Sequence, residues 1–175
     1  MSKRITYAYY FAMSSPEPFS SNPVPSPRRL PPLLRRAWYG LNQSFRQRIA
    51  HLGITPDQYS ILRWLKEGDP RGLTQSELTE RMASDPNTIT STLARMEAAG
   101  LVSRHPHESD RRARRVRIES RGEAAYGEAR GEAELLQAEI LNALPARRRE
   151  SFLEDLEVVA AACGESAQRG GRRPS

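Results

Sequence analysis

The sequence predicts a mainly α-helical protein that carries one small β-hairpin. Apolar residues recur three and four positions apart over most of residues 33–100 and 120–163, which is the period of an α-helix with one buried side. The pattern changes only between these stretches. There, residues 101–105 and 114–118 resemble short strands, and the second of them alternates apolar and basic residues.

The first two helices have clear end signals. The first is predicted to end at Gly53, and its apolar stripe consists of Leu34, Ala37, Leu41, Phe45, Ile49 and Leu52. Thr55 is predicted to cap the second helix, with Pro56 in its first position and Gln58 completing a capping box. This helix is expected to run to about Glu67, where a Gly-Asp-Pro sequence interrupts the pattern.

Two shorter helices follow and are joined by a tight turn. Thr74 and Glu77 form a second capping box, which starts a short third helix. Asp85 followed by Pro86 starts a fourth helix that ends at Gly100, and its apolar stripe is Ile89, Leu93 and Met96. Two helices with so short a connection form a helix-turn-helix. A hairpin directly after the second helix gives the winged form of this motif.

The hairpin is predicted to have one apolar and one basic face. In its second strand Val116 and Ile118 alternate with Arg115 and Arg117. We therefore expect the two apolar side chains to be buried and the two arginines to be exposed. Residues 106–113 form the predicted loop between the strands.

Two further helices are predicted after the hairpin. Ser120 and Glu123 have the spacing of a third capping box, which opens a fifth helix extending to about Ala143. Pro145 is expected to start the sixth helix.

This order of elements divides the chain into three regions. Residues 1–32, rich in Pro and Ser, are expected to form a disordered arm, and residues 164–175 a disordered tail. Residues 33–163 are expected to form one domain. Within it, residues 54–121 are the predicted winged-helix lobe, and residues 33–53 and 122–163 are the predicted dimerisation helices.

Composition and charge favour an anionic partner. The 175 residues carry a formal net charge of +6 and the isoelectric point is about 10.0, which favours nucleic acid.

No apolar stretch reaches the roughly 18 residues of a membrane-spanning helix. Cys163 is the only cysteine, so an internal disulfide is excluded and a cytoplasmic location is expected. P-loop, dinucleotide-binding, nucleophile-elbow and zinc-protease motifs are absent, so we expect no enzyme and no cofactor.

The fourth helix and the hairpin carry residue types suited to DNA. If the apolar stripe of the fourth helix faces inward, its opposite side is lined by donors and acceptors that suit phosphates and base edges. These residues are Asn87, Thr88, Thr90, Ser91 and Arg95. The hairpin concentrates arginines that repel one another unless a polyanion lies alongside. They are Arg111, Arg112, Arg114, Arg115 and Arg117. An ordinary solvated helix face is the alternative, and the basic hairpin favours DNA.

Four segments resemble the MarR family of winged-helix regulators in order and spacing. They begin at Thr74-Gln75, Asp85, Arg95 and Ser109, and the last contains the most specific pattern, Asp110, Arg112, Ser120 and Gly122. The resemblance extends over residues 33–163. It implies a homodimer that binds double-stranded DNA at a pseudo-palindromic operator and acts as a transcriptional repressor.

The resemblance also implies roles for single residues. Arg112 is expected to enter the minor groove, and Asp110 to orient the wing through an ion pair, with a plain surface pair as the alternative. Thr74 and Gln75 complete the predicted DNA-binding set. Glu119 departs from the family, which more often has an apolar residue there, and the departure concerns packing at the end of the wing strand.

In the family, the first, fifth and sixth helices form the dimer, and an aromatic, phenolic or other small ligand often binds between these helices and the DNA-binding lobe. The dimerisation residues implied here are Leu34, Leu41, Leu135, Leu136, Ile140, Phe152, Leu156 and Val159. The implied pocket residues are Trp38, Tyr39, Phe45, Tyr59 and Trp64, for which core packing is the alternative. Packing of the terminal helices within a monomer is the alternative to the dimer.

Other functions stay open at this point. A winged helix can dock to proteins, and it can bind DNA non-specifically without an effector.

Four residues of the hairpin have metal-ligating groups: His105, His107, Glu108 and Asp110. Their spacing is unspecific, however, so we expect phosphate contact or solvation there and no metal.

Overall fold

A computed structural model describes residues 29–109 and 113–170 of the chain. Two units are distinguished by their contacts, Met1–Ala37 and Trp38–Ser175. The described part of the first unit is the start of one helix. The second unit holds all the other described elements. Among the described residues no helix is both long and apolar enough to cross a membrane.

The described residues form six α-helices, two 3-10 turns and three strands. The helices are α1 (Leu30–Arg48), α2 (Pro56–Glu67), α3 (Gln75–Arg81), α4 (Pro86–Ala98), α5 (Ser120–Leu141) and α6 (Arg149–Gly170). The 3-10 turns lie at Ala50–Leu52 and Ala146–Arg148. The strands are β1 (Leu73–Thr74), β2 (Val102–Pro106) and β3 (Arg114–Ile118).

Helix α1 begins earlier than its apolar stripe suggests. It starts at Leu30, inside the region predicted as a disordered arm, with Pro31 and Pro32 in its first turn. Proline is tolerated there because the first N–H groups of a helix have no intrahelical partner. The prediction of disorder is therefore wrong for residues 30–32, and residues 1–28 lie outside the described part of the chain.

Helix α6 also differs from the prediction. Pro145 precedes a 3-10 turn, and the α-helix begins only at Arg149. It continues to Gly170, so predicted disorder is wrong for residues 164–170, while residues 171–175 lie outside the described range. A Glu165–Arg169 ion pair of 3.8 Å, four positions apart, supports these last turns.

The capping boxes predicted at Thr55 and Thr74 are confirmed, and the one predicted at Ser120 is wrong. Glu119 is the N-cap of α5 and makes no side-chain cap. Its N–H instead donates to the Leu101 carbonyl at 3.0 Å. A Cβ on Gly122 would lie 2.2 Å from that same oxygen. Close backbone packing, which only glycine allows, therefore determines where α5 starts.

The sheet has three antiparallel strands in the order β1-β3-β2, where the sequence predicts two. Leu73 pairs with Val116, and Thr74 with Arg115. Strand β1 contains only two residues, too few to produce an alternating pattern. The predicted hairpin is confirmed as the pair β2–β3, in which Val102 lies opposite Ile118.

The core of the second unit lies among α2, α3, α4, α5 and the sheet. Its fully buried side chains are Ile49, Ile61, Leu62, Leu73, Leu78, Ile89, Leu93, Met96 and Val116. Helix α5 adds Tyr126, Ala129 and Leu136 to this cluster. The helix-turn-helix and the wing thus stand on one continuous apolar support.

Candidate nucleic-acid interface

Helix α4 presents a polar face opposite a buried apolar stripe. Asp85 caps it by accepting hydrogen bonds from the N–H groups of Asn87 (2.8 Å) and Thr88 (3.4 Å). The predicted inward residues Ile89, Leu93 and Met96 are all buried, and Thr92 is buried with them. The predicted outward residues are all exposed: Asn87, Thr88, Thr90, Ser91 and Arg95.

The exposed hydroxyl groups of α4 are oriented by local hydrogen bonds. Thr90 donates to the Pro86 carbonyl at 2.7 Å, and Ser91 donates to the Thr88 carbonyl at 3.0 Å. Gln75 on α3 donates to the Thr90 oxygen at 2.6 Å, which connects the two helices of the motif at their exposed edge. The Ser91 oxygen keeps its acceptor capacity for an external donor.

Thr74 is half-buried and committed to the cap of α3. Its N–H and its hydroxyl both donate to the Glu77 carboxylate, at 2.7 and 2.8 Å. These hydrogen bonds lower the pKa of Glu77. The Thr74 side chain is thereby fixed at the N-terminus of α3, next to Gln75.

The turn between α3 and α4 contains a left-handed residue that is not glycine. Ala83 has φ of 45°, and its N–H donates to the Glu80 carbonyl at 3.0 Å. Ser84 donates to the Thr79 carbonyl at 3.2 Å. This is the hydrogen-bond pattern of a Schellman motif, in which glycine usually takes the left-handed position. The motif sets the angle at which α4 leaves α3.

The wing has exposed arginines at both ends of β3. Arg114 and Arg117 are exposed, as expected for side chains available to a polyanion. Arg117 also donates through Nε to the Arg71 carbonyl at 2.8 Å. The predicted contacts Asp110, Arg111 and Arg112 lie outside the described residues.

Arg115 contradicts the prediction of a basic, exposed face on β3. Only 8% of this residue is exposed. Its Nη1 donates to the Gly72 carbonyl at 2.9 Å, and its Nε donates to Glu108 at 2.8 Å. This hydrogen bond holds the pKa of Glu108 at about 2. Because β3 is the central strand, the short β1 and the turn before it cover Arg115, and the sequence pattern does not reveal β1.

Three of the four wing residues with metal-ligating groups, His105, His107 and Glu108, lie in the described part of the chain, and Asp110 lies outside it. His105 Nε2 lies 2.9 Å from the Ser103 hydroxyl, and Glu108 is engaged by Arg115. The described residues contain no group of three or more side chains arranged to hold a metal ion.

Similarity to known proteins places this geometry in a family. A family model described as the MarR family matches residues 52–113. The transcriptional regulator HosA of Escherichia coli O127:H6 is 32% identical over 127 residues, which cover 70% of this chain and 93% of HosA. The chain belongs to the MarR family. The predicted winged helix-turn-helix and the resemblance to the MarR family are both confirmed.

Solved structures of other proteins show the same fold. MosR of Mycobacterium tuberculosis, in complex with DNA, is 28% identical with a TM-score of 0.61, and the match covers 75% of this chain and 95% of MosR. CouR of Rhodococcus jostii RHA1, bound to p-coumaroyl-CoA, is 22% identical with a TM-score of 0.65 over 73% of this chain and 89% of CouR. At 22% identity, the similarity to CouR shows a shared fold and nothing more. HosA and MosR are both transcriptional regulators.

In this MarR-family chain the terminal helices leave apolar side chains uncovered. The exposed large hydrophobic residues predicted for dimerisation are Leu41, Leu135, Ile140, Phe152 and Leu156. Leu34 and Val159 are half-buried. Leu136 is 3% exposed and belongs to the core of the single chain, so its assignment to a dimer surface is wrong. The helical period places it on the side of α5 that faces the core.

The five aromatic residues predicted for a ligand pocket lie in three different environments. Phe45 lies in the core and packs edge-on against the partly buried Tyr59, with ring centroids 4.9 Å apart. Burial raises the pKa of Tyr59. The guanidinium carbons of Arg63 and Arg81 lie 4.9 and 5.1 Å from the centroid of the Trp64 ring. Trp38 and Tyr39 are exposed on α1. The pocket stays a prediction.

A separate cavity of about 110 Å³ lies between α2 and the helix-turn-helix. Its lining residues come from α2, the Ala83 turn and α4: Asp57, Ile61, Met82, Ala83, Ser84, Thr88, Ile89 and Thr92. It contains none of the five aromatic residues.

Proposed function

We propose that the protein is a homodimeric, sequence-specific repressor of transcription that binds a pseudo-palindromic operator in double-stranded DNA. The observation that carries the proposal is the orientation of α4. Five polar side chains are exposed on one face of this helix, while Ile89, Leu93 and Met96 are buried on the other. The complex of MosR with DNA supports duplex DNA as the partner.

Within this proposal, α4 is the recognition helix. Asn87, Ser91 and Arg95 read base edges in the major groove, because amide, hydroxyl and guanidinium groups match the donors and acceptors there. Gln75, Thr88 and Thr90 lie on the same exposed edge and contact phosphates. These contacts position the helix, whereas base contacts determine the sequence.

The wing supplies the second part of the contact. Arg112 enters the minor groove, Arg111 and Arg114 contact the phosphate backbone beside it, and Asp110 orients the wing through an ion pair. Two copies are required because consecutive half-sites on one face of a duplex lie about 34–36 Å apart. The uncovered apolar residues of α1, α5 and α6 support such pairing.

Selection from a random duplex library tests sequence specificity. The expected outcome is enrichment of a pseudo-palindrome that the protein binds at least about 100-fold more tightly than a scrambled duplex. The logarithm of the affinity should fall linearly with the logarithm of salt concentration. A library that returns no enriched sequence contradicts the proposal. Binding of an acidic protein in the absence of any DNA binding would favour a docking module instead.

Single substitutions separate the two kinds of contact. Ser91→Ala should change the preferred base at one operator position, whereas Arg112→Ala should weaken binding to every duplex by a similar factor. Arg147→Ala is the matched control, because it removes the same charge from an exposed 3-10 turn outside the winged helix. An equal loss of affinity in Arg147→Ala would show that only net charge matters.

Release by a small aromatic or phenolic molecule is the regulatory part of the proposal. Such a ligand acts only if it binds the free protein more tightly than the DNA-bound protein. Phenolic acids should therefore lower the affinity for the enriched operator. Unchanged affinity across a panel of such compounds contradicts this part.

A further inference from the structure

Two arginines of β3 attach the wing to the turn that follows α2. Arg115 Nη1 donates to the Gly72 carbonyl at 2.9 Å, and Arg117 Nε donates to the Arg71 carbonyl at 2.8 Å. The two acceptors are consecutive residues of the turn. Each guanidinium therefore joins the wing strand to a different carbonyl of the same short segment.

The turn that accepts these hydrogen bonds is itself tightly held. Arg71 donates to Asp69 through its backbone N–H at 2.8 Å and through Nη2 at 2.7 Å. Gly72 has φ of 93°, and a Cβ at this position would lie 2.3 Å from the Val116 carbonyl oxygen. The backbone of the turn thus lies directly against β3, and it continues from α2, which forms part of the core.

Glu108 holds Arg115 in place. Its carboxylate accepts from Arg115 Nε at 2.8 Å, while the other end of the same guanidinium reaches Gly72. The side chain of Arg115 is 10% exposed and that of Glu108 is 48% exposed, so the carboxylate approaches from the solvent side. Glu108 follows β2 and Arg115 lies within β3. The pair therefore links the two sides of the wing near its loop.

We propose that Glu108 is a positioning residue for DNA binding. By holding the Arg115 guanidinium against the Gly72 carbonyl, it fixes the direction in which the β2–β3 hairpin leaves the body of the protein. Arg115 acts through this link and does not contact DNA. This inference rests on the proposed function, because the quantity that it explains is the affinity for a duplex.

Whether neutralisation of Glu108 raises or lowers the affinity for DNA distinguishes a positioning role from simple charge repulsion. A carboxylate on a DNA-binding wing repels phosphates, so its neutralisation alone would raise the affinity. If Glu108 positions the wing, the same neutralisation lowers the affinity, because the remaining arginines no longer lie along the duplex. The slope of affinity against salt concentration also decreases, since fewer phosphates are contacted.

The test compares Glu108→Gln with Glu119→Gln in the full chain. Glu119 follows β3, is exposed and makes no side-chain cap, so its substitution removes one negative charge next to the wing without breaking a link to Arg115. We expect Glu108→Gln to bind the operator about five- to tenfold more weakly than wild type, within the range of coupling energies measured for contacting residues. Glu119→Gln should bind equally well or slightly better.

A conservative change at Arg115 supplies a second measurement. Arg115→Lys keeps the charge but replaces a planar fork with one ammonium group, which cannot hold both Glu108 and the Gly72 carbonyl in the same way. Its loss of affinity should match that of Glu108→Gln, and the double variant should bind no more weakly than either single variant. Additive losses would show that Glu108 and Arg115 act separately.

Hydrogen exchange keeps the inference separate from the proposed function. In Glu108→Gln, amide protons of residues 69–73, 102–109 and 113–118 should exchange faster than in wild type and in Glu119→Gln, without DNA present. If the wild type binds no specific duplex, the proposed function fails and exchange alone still decides whether Glu108 holds the wing. Tight DNA binding by a correctly folded Glu108→Gln, or unchanged exchange in these segments, overturns the inference.

Discussion

At the scale of single residues, Ala83 has a conformation that its side chain disfavours. Its φ of 45° places it in the left-handed region, at the turn between the two helices of the DNA-binding motif. A residue with a Cβ loses about 1–2 kcal/mol there, and glycine does not. The turn therefore stores strain at the point that sets the angle between α3 and α4.

Ala83→Gly should stabilise the protein. Relief of the left-handed strain exceeds the extra conformational freedom that glycine gives the unfolded chain, so a net gain of about 0.5–1 kcal/mol is expected. The matched control is Ala124→Gly on the exposed side of α5, where the same change should cost about 1 kcal/mol. Thermal or urea unfolding measures both. Destabilisation of similar size in the two variants would contradict the assignment of strain to Ala83.

Residue orientation was predictable on α4 and not on β3, for a physical reason. The helical period places Asn87 and Ser91 opposite Leu93 without reference to the rest of the chain. The orientation of Arg115 depends on β1, which ends at Thr74, 41 positions earlier in the chain, and is too short to predict. The link to Glu108 was equally hidden, because Glu108 precedes a loop whose geometry depends on tertiary contacts.

At the scale of elements, helix ends were predictable where side chains define them. Thr55 and Thr74 cap α2 and α3 through local hydrogen bonds, which depend only on neighbouring residues. The start of α5 is set by the approach of Gly122 to the Leu101 carbonyl, a contact between distant segments. A sequence pattern indicates caps of the first kind and misses starts of the second kind.

Helix α3 should depend on pH through its cap. It has seven residues, too few for stability without caps and packing. The pKa of Glu77 is lower in the folded chain because its carboxylate accepts from the N–H and hydroxyl of Thr74. The ionised cap therefore stabilises the fold fully above the unfolded pKa of 4.5, and this stabilisation is lost as the pH falls through the folded value.

Glu77→Gln isolates the charge of this cap, because glutamine keeps an acceptor for the Thr74 N–H. At pH 7 the variant should lose about 0.5 kcal/mol, typical of a carboxylate at a helix N-terminus. The difference from wild type should shrink as the pH falls below 4.5. Glu80→Gln, an exposed carboxylate near the end of the same helix, should not show this loss. A difference that stays constant with pH would assign the effect to packing.

At the scale of the whole molecule, α6 has apolar residues that its own chain does not bury. Along its described length no side chain is buried, and Phe152, Leu156 and Val158 are exposed. A helix of 22 residues is about 33 Å long, and an isolated helix with so much uncovered apolar surface is unfavourable in water. The helical period places Phe152, Leu156 and Val159 on one side and Val158 away from them.

Leu156→Glu should therefore convert the proposed dimer into a monomer, while Val158→Glu should leave it intact. A charge buried without a partner costs about 3 kcal/mol or more, which corresponds to a rise in the dimer dissociation constant of more than 100-fold. Light scattering after size exclusion and sedimentation equilibrium measure the mass. The monomeric variant should also lose most of its affinity for a two-half-site operator, because only one recognition helix can then be placed. A dimeric Leu156→Glu, or dissociation by both variants alike, would mean that this side of α6 is not the surface between the subunits.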